Sequence, residues 1–285
     1  MCIDYYSCLY KKGGELNSQH FTSYPMLTFE PIGTFHTFSK APYDLPRQGS
    51  LGQSNKGTIQ LNKGCQFEQA LEGLSGFDLI WVVFRFHQSL KWKPKVLPPR
   101  GGDKQGVFAT RSPHRPNFIG FSCVKLQEIK GLALYITNHD LLDGTPILDL
   151  KPYLNYADSL TSQRQGWTDN VPPVPEMVIE WSGLAQTQID YLKEVLNLPL
   201  QTVIEHRLVQ SPFPYANNRV KRINEREYEL AYKTWRISYI IEENRLIVNH
   251  LKSGYDQETM SGQKQSKWDD VPIHQAFNQY FNLFS

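Results

Sequence analysis

Between Phe29 and Ser159 the chain repeatedly enters short apolar stretches and leaves them at Pro or Gly, a spacing that sharply limits the folds open to it. The clearest runs are Phe77 to Phe86, Gly106 to Thr110, Ile119 to Leu126 and Leu132 to Thr137, all of strand length. Leu79-Ile80-Trp81-Val82-Val83-Phe84 is apolar on both faces, as a central strand would be, whereas Val124-Lys125-Leu126 alternates. One short helix, about Gln66 to Leu74, is expected to interrupt them. Strands this close together, without the regular helices of βαβ units, predict a mainly β fold built on a barrel or folded sheet. A doubly wound sheet is disfavoured.

The rest of the chain reads differently. Residues 1–28 are Gly-rich and polar without sustained periodicity and form an N-terminal extension, expected to be peripheral. The β-barrel domain is assigned to residues 29–160. Residues 161–177, rich in Ser, Gln, Asn and Pro and including Pro172-Pro173-Val174-Pro175, read as a linker. Beyond it, residues 178–285 are expected to form a smaller α+β domain. Ile189, Leu192, Val195 and Leu196 mark an amphipathic helix, and Leu200 to Val209 a second. Tyr228 to Ile241 and Arg245 to Leu251 are β-rich, with a turn expected at Glu242-Glu243-Asn244.

Several function classes lose their warrant. No stretch approaches the roughly 20 apolar residues of a membrane span, and Met1 to Pro25 has no apolar signal core, so a cytoplasmic location is expected. Cys2, Cys8, Cys65 and Cys123 show no metal-ligand spacing; Cys65 and Cys123 read as small apolar residues, and no metal is expected. Gly52 to Thr58 has the glycine spacing of a phosphate-binding loop but places Thr58 where the lysine belongs. Neither G-x-G-x-x-G after a strand nor G-x-S-x-G occurs. The net charge of +2 is small, yet between Lys91 and Arg115 seven basic residues face Asp103 alone. Such a cluster suits phosphate, and equally suits a solvated loop.

A dense set of unusual segments remains in the barrel region: Pro46-Arg47-Gln48, Phe84 to Gln88, Pro98-Pro99-Arg100, Gly106 to Asn117 and Asp140 to Tyr153. At these residues the chain resembles the TrmO family of tRNA adenosine methyltransferases, also called YaeB-like or TsaA-domain proteins. The resemblance is strong over about Phe29 to Ser159 and weak beyond it. It implies a β-barrel that works as a homodimer and binds S-adenosylmethionine near the subunit interface. It also implies that the methyl group goes to the exocyclic amine of threonylcarbamoyl-modified adenosine at position 37 of tRNA, with the anticodon stem-loop as partner.

S-adenosylmethionine presents a carboxylate, an ammonium, a ribose diol, an adenine edge and a sulfonium centre, and each needs a complementary group. Arginine forks suit the carboxylate, and aspartates accept from the ammonium or the diol. By resemblance the donor is bound by Pro46, Arg47, Gln48, His87, Gln88, Arg111, Phe121, Asp140, Leu141, Leu142 and Asp143. Arg47 and Arg111 also suit ion pairs with Asp140, Asp143 or Asp149, and Asp143-Gly144-Thr145-Pro146 also reads as a turn. No general base is identifiable. Candidates for RNA contact are Arg100, Arg115, Arg219, Lys221 and Arg222, all of which equally suit a solvated face. Where the family carries D-P-R-P-A-Y, this chain reads Ser211-Pro212-Phe213-Pro214-Tyr215-Ala216, without the acidic and basic members. That departure motivates two alternatives: a barrel that binds S-adenosylmethionine or RNA without methyl transfer, and a methyltransferase with another acceptor.

Overall fold

The computed structural model describes residues 28–38, 55–98, 102–171, 177–196, 200–214 and 218–283. Pro46-Arg47-Gln48, Arg100 and nearly all of the expected N-terminal extension lie outside them, as do residues 172–176 of the expected linker. In chain order the first part contains β1 (Gly33–His36), β2 (Lys56–Leu61), α1 (Phe67–Ala70), β3 (Leu79–Arg85), β4 (Lys95–Val96), β5 (Gln105–Gly106), β6 (Ile119–Lys130), β7 (Ala133–Thr137), β8 (Thr145–Pro152) and α2 (Asn155–Asp158). The second part contains β9 (Val178–Trp181), α3 (Gly183–Leu196), α4 (Leu200–Gln210), β10 (Val220–Arg222), β11 (Glu227–Tyr232), β12 (Trp235–Glu242), β13 (Arg245–Ser253), α5 (Gln257–Met260) and α6 (Val271–Tyr280).

Six strands close into a barrel in the order β1-β2-β7-β6-β3-β8, with β1 antiparallel to both β2 and β8. The mainly β fold expected from strand spacing is therefore present, and it is a closed barrel. Alternation along the strands decides its interior: Ile80, Val82 and Phe84 of β3 and Val124 and Leu126 of β6 point inward with Phe35, Ile59, Leu134, Ile136 and Ile147. Burying each such side chain contributes roughly 1.5–3 kcal/mol. Two glycines make room for the largest of them. A Cβ on Gly57 would lie 2.1 Å from the Phe35 ring, and one on Gly120 2.3 Å from the Phe84 ring. Where β3 meets β8 the register shifts between Val83 and Phe84, a bulge that turns the strand end toward His87.

The second sheet has the order β10-β11-β12-β13-β9, with β9 parallel to β13 and the others antiparallel. Ala185, Ile189 and Leu192 of α3 and Val203, Ile204 and Leu208 of α4 fill one core with Tyr239, Val248 and Phe277. Tyr239 is fully buried, and its hydroxyl donates to the Pro212 carbonyl at 2.6 Å, so the unusual Ser211 to Pro214 segment is anchored to this core.

Four expectations fail locally. The helix expected over Gln66 to Leu74 is a single turn, Phe67–Ala70, and the run Tyr228 to Ile241 is two strands, β11 and β12. Gly106 to Thr110 is not a strand: only Gln105–Gly106 pairs, and Val107–Ala109 forms a 3-10 turn, because Arg115 and Thr110 draw the Val107 carbonyl into side-chain hydrogen bonds. Cys65 is exposed and not a packed apolar residue, while Cys123 is half-buried on the outer face of β6. Among the described residues no helix is long and apolar enough to cross a membrane, and no group of three or more His, Cys, Asp or Glu is arranged to hold a metal ion.

Candidate functional site

The loop from β7 to β8 carries Asp140 to Asp143, and the barrel brings it against the ends of β1, β3 and β6. Its entry is locked by a buried amide: Asn55 Oδ1 accepts from the His139 N–H at 3.2 Å, and Asn55 Nδ2 donates to the His139 carbonyl. His139 is fully buried, lies edge-on to Phe35 and accepts the Leu141 N–H on Nδ1 at 3.3 Å. Burial pushes its pKa down to about 4, so it is neutral at pH 7. Downstream, Gly144 (φ 75°) donates its N–H to the Phe35 carbonyl, and Thr145 donates its hydroxyl to the Leu142 carbonyl at 2.7 Å. Only a residue free of Cβ strain fits that turn without cost.

Asp140 projects inward beside Ser122, whose Oγ donates to Oδ1 at 2.6 Å. Burial raises the Asp140 pKa, while the Ser122 hydroxyl and the positive charge of Arg111 oppose the rise. Asp143 accepts the Thr37 N–H at 3.0 Å, with His36 Nδ1 3.7 Å away. His87, just beyond β3, has Nδ1 3.4 Å from Thr145 Oγ1. Because that hydroxyl already gives its proton to Leu142, the contact requires hydrogen on Nδ1, leaving Nε2 with a free lone pair. Burial lowers the His87 pKa, partly offset by the negative charge of Asp143.

Of the predicted donor-binding residues, the structure thus groups His87, Asp140 and Asp143 around one loop, with Arg111 near enough for its charge to act on Asp140. Leu141 is buried in the barrel core, and its N–H is taken by His139 Nδ1. The Leu142 carbonyl is already engaged, and Gln88 is an exposed neighbour of His87. Phe121 stands apart. It follows Gly120 and precedes Ser122 on β6, so its ring faces outward, opposite Asp140, where it stacks on Trp81 at 4.3 Å and is 53% exposed. No salt bridge joins Arg111 to Asp140 among those the described residues form; Arg111 acts on Asp140 through its charge.

The proposed RNA contacts divide in the same way. Arg115 donates to the Val107 and Thr110 carbonyls at 3.2 and 2.7 Å and so holds the 3-10 turn. Arg222 donates to the Asn224 and Glu225 carbonyls, while Arg219 and Lys221 are exposed. Sequence reasoning missed Asn55, Ser122 and His139: Asn55 sits in the Gly52 to Thr58 pattern weighed only as a phosphate loop, and Ser122 and His139 are uncharged residues between the segments that stood out. The sole signal was the adjacency of His139 to Asp140.

The tRNA-methyltransferase O N-terminal domain model matches residues 34–159, the span that holds this loop and the barrel. The tRNA (adenine(37)-N6)-methyltransferase of Escherichia coli is 36% identical over 195 residues, 65% of this chain and 82% of that protein. The chain belongs to the tRNA-methyltransferase O family. A second relative in Pseudomonas aeruginosa, RcsF, whose name describes an S-adenosylmethionine-dependent methyltransferase, is 42% identical over 188 residues, covering 65% of this chain and 80% of its own. A crystal structure of TrmO from Pseudomonas aeruginosa superposes with a TM-score of 0.57 and 33% identity, covering 80% of this chain and 99% of that one.

The donor set fits S-adenosylmethionine chemically. Two carboxylates suit its ammonium and diol, Arg111 suits its carboxylate, and a neutral histidine adds no positive charge beside the sulfonium.

Proposed function

We propose that this protein transfers the methyl group of S-adenosylmethionine to the exocyclic amine of threonylcarbamoyl-modified adenosine 37 in the anticodon loop of tRNA. The observation that carries the reading is the convergence of Asp140, Asp143 and His87 on the hydrogen-bonded loop from β7 to β8, with the charge of Arg111 close to Asp140. Membership of the family and the names of the relatives support the same reading. When bound, S-adenosylmethionine supplies a methyl group activated by its sulfonium. The chain's task is then positional. Asp140 and Asp143 fix the polar ends of the donor, Arg111 offers a fork to its carboxylate, and the closed barrel keeps them rigid. Orientation of this kind contributes on the order of 7 to 11 kcal/mol at its upper limit. The carbamoyl group makes the acceptor N–H more acidic, so a weak base suffices, and His87 Nε2 offers a neutral acceptor.

The domain division at residues 161–177, the homodimer and the cytoplasmic location belong to the same reading. The dimer is supported by the outward stack of Phe121 on Trp81, which leaves a donor-binding residue on the face opposite Asp140, where a second copy brings the two faces together. Arg219, Lys221, Arg222, Arg100 and Arg115 supply positive charge for tRNA.

Nucleoside mass spectrometry of tRNA incubated with protein and methyl donor tests the reading. A methyl group on the modified adenosine is expected, with far slower reaction on tRNA lacking the threonylcarbamoyl group. Equal rates on both would remove the acceptor assignment and leave methyl transfer. Tight donor binding without any methylated nucleoside would replace the enzyme with a binding protein.

A further inference from the structure

A cleft of about 1130 Å3 is lined by Arg111, whose charge acts on Asp140, and by none of the other described donor-site residues. It exceeds the roughly 300–1000 Å3 that a small ligand occupies. Lys93, Lys95 and Lys104 line it and are exposed, and no acidic side chain is among its described lining residues. Two aromatic rings stand among these charges. Phe108 is 76% exposed on the Val107–Ala109 turn, and Trp167 donates from Nε1 to the Ala109 carbonyl at 2.8 Å.

The support of Phe108 is the informative part. The Val107 carbonyl accepts from Thr110 N–H, Thr110 Oγ1 and Arg115, and the Arg115 guanidinium sits 5.8 Å from the Phe108 ring. Such a built turn holds a large apolar ring in water, among cations, with no core residue covering it. A flat ring fixed beside spaced ammonium groups matches an unstacked base joined to phosphates. Duplex RNA does not offer that base, and the single carboxylate of the methyl donor does not call for three lysines.

We propose that this cleft receives single-stranded RNA: a nucleotide flanking the target adenosine stacks on Phe108 and Trp167, and adjoining phosphates pair with Lys93, Lys95 and Lys104. The inference rests on the tRNA reading above and extends it to a named docking site. Arg111 links the two regions, because it lines this cleft and its charge acts on Asp140.

The test uses the full chain and a fluorescent anticodon stem-loop carrying the modified adenosine, titrated across a salt series, with a blunt RNA duplex as control. Joint replacement of Lys93, Lys95 and Lys104 by Gln is expected to flatten the slope of log affinity against log salt by about 2, at about 0.7 per phosphate contact. Phe108→Ala is expected to weaken stem-loop binding about tenfold, with slope and duplex binding unchanged. Both variants keep parental affinity for S-adenosylmethionine, and because the replaced side chains are exposed, both keep the parental melting temperature. Parental stem-loop binding in either variant overturns the inference, since lysines without the ring make only an electrostatic track. If the parent instead binds RNA through the cleft yet methylates nothing, the enzymatic reading fails while this site stands.

Discussion

Acidification offers a quantitative test of the loop that carries Asp140. In the unfolded chain His139 takes up a proton near pH 6.5, whereas in the folded barrel burial holds it neutral down to about pH 4. Above pH 6.5 both states are neutral and the residue has no effect on pH dependence. Between those values only the unfolded chain binds the proton, so stability falls as pH falls, by about 1.4 kcal/mol per pH unit. The loss reaches about 2 kcal/mol at pH 5 and about 3 kcal/mol once the pH is below the folded value. Protonation also puts hydrogen on Nδ1, which can then no longer accept the Leu141 N–H. Urea unfolding at a series of pH values, on the parent and on His139→Gln, measures the effect. The comparison is of slopes and not of absolute stabilities, because the substitution also alters packing against Phe35. His274, held down to about pH 4 by burial in the other core, titrates in both proteins and cancels. The parent is expected to take up one more proton on unfolding than the variant between pH 6 and pH 4.5. Parallel stability curves would refute the argument, because they would mean that His139 titrates alike in both states.

Two further outcomes follow from side chains described above. Arg111→Ala should weaken S-adenosylmethionine binding by roughly 1.5 to 3 kcal/mol, the range for a lost charge-assisted hydrogen bond, as measured by calorimetry; unchanged affinity in a folded protein assigns Arg111 to Asp140 and the cleft alone. Gly120→Ala drives a methyl group into the Phe84 ring and should cost about 1–3 kcal/mol, read as a lower melting temperature; a parental melting temperature would show that the ring moves aside freely.

The strands legible in the sequence are those whose own residues carry the signal. β3 and β7 fall within the apolar runs that mark them, and β6 starts with its run and continues past Leu126 to Lys130, because long runs of β-branched and aromatic residues have few other ways to be buried. β1 and β2 were missed: Gly33–His36 is only four residues, and Lys56–Leu61 begins inside a glycine pattern that invites a phosphate-loop comparison. β8 was hidden within a motif and bears Pro at positions 146 and 152. The apolar run from Tyr228 to Ile241 is two strands and not one, folded back at Lys233 (φ 51°), where no Gly, Pro or Asn announces the turn. At the site the charged residues were legible as a family pattern, but their neutral supports were not. Asn55, Ser122 and His139 act through partners 18 to 84 positions away, and such pairs exist only after the barrel closes.

That closure governs how the chain is made as well as how it works. Gly33 pairs with Ile147, so the first barrel strand waits for the last. At synthesis rates of about 5–20 residues per second, the intervening stretch takes on the order of 6 to 24 s to emerge. Throughout that interval Phe35 and its strand have one unsatisfied edge, and neither Asp140 nor Asp143 has yet met its partners on β6 and after β1. A nascent chain of this protein therefore carries no donor loop in working form until Pro152 has left the ribosome, and the open edge of β1 is the surface that chaperones must shield until then.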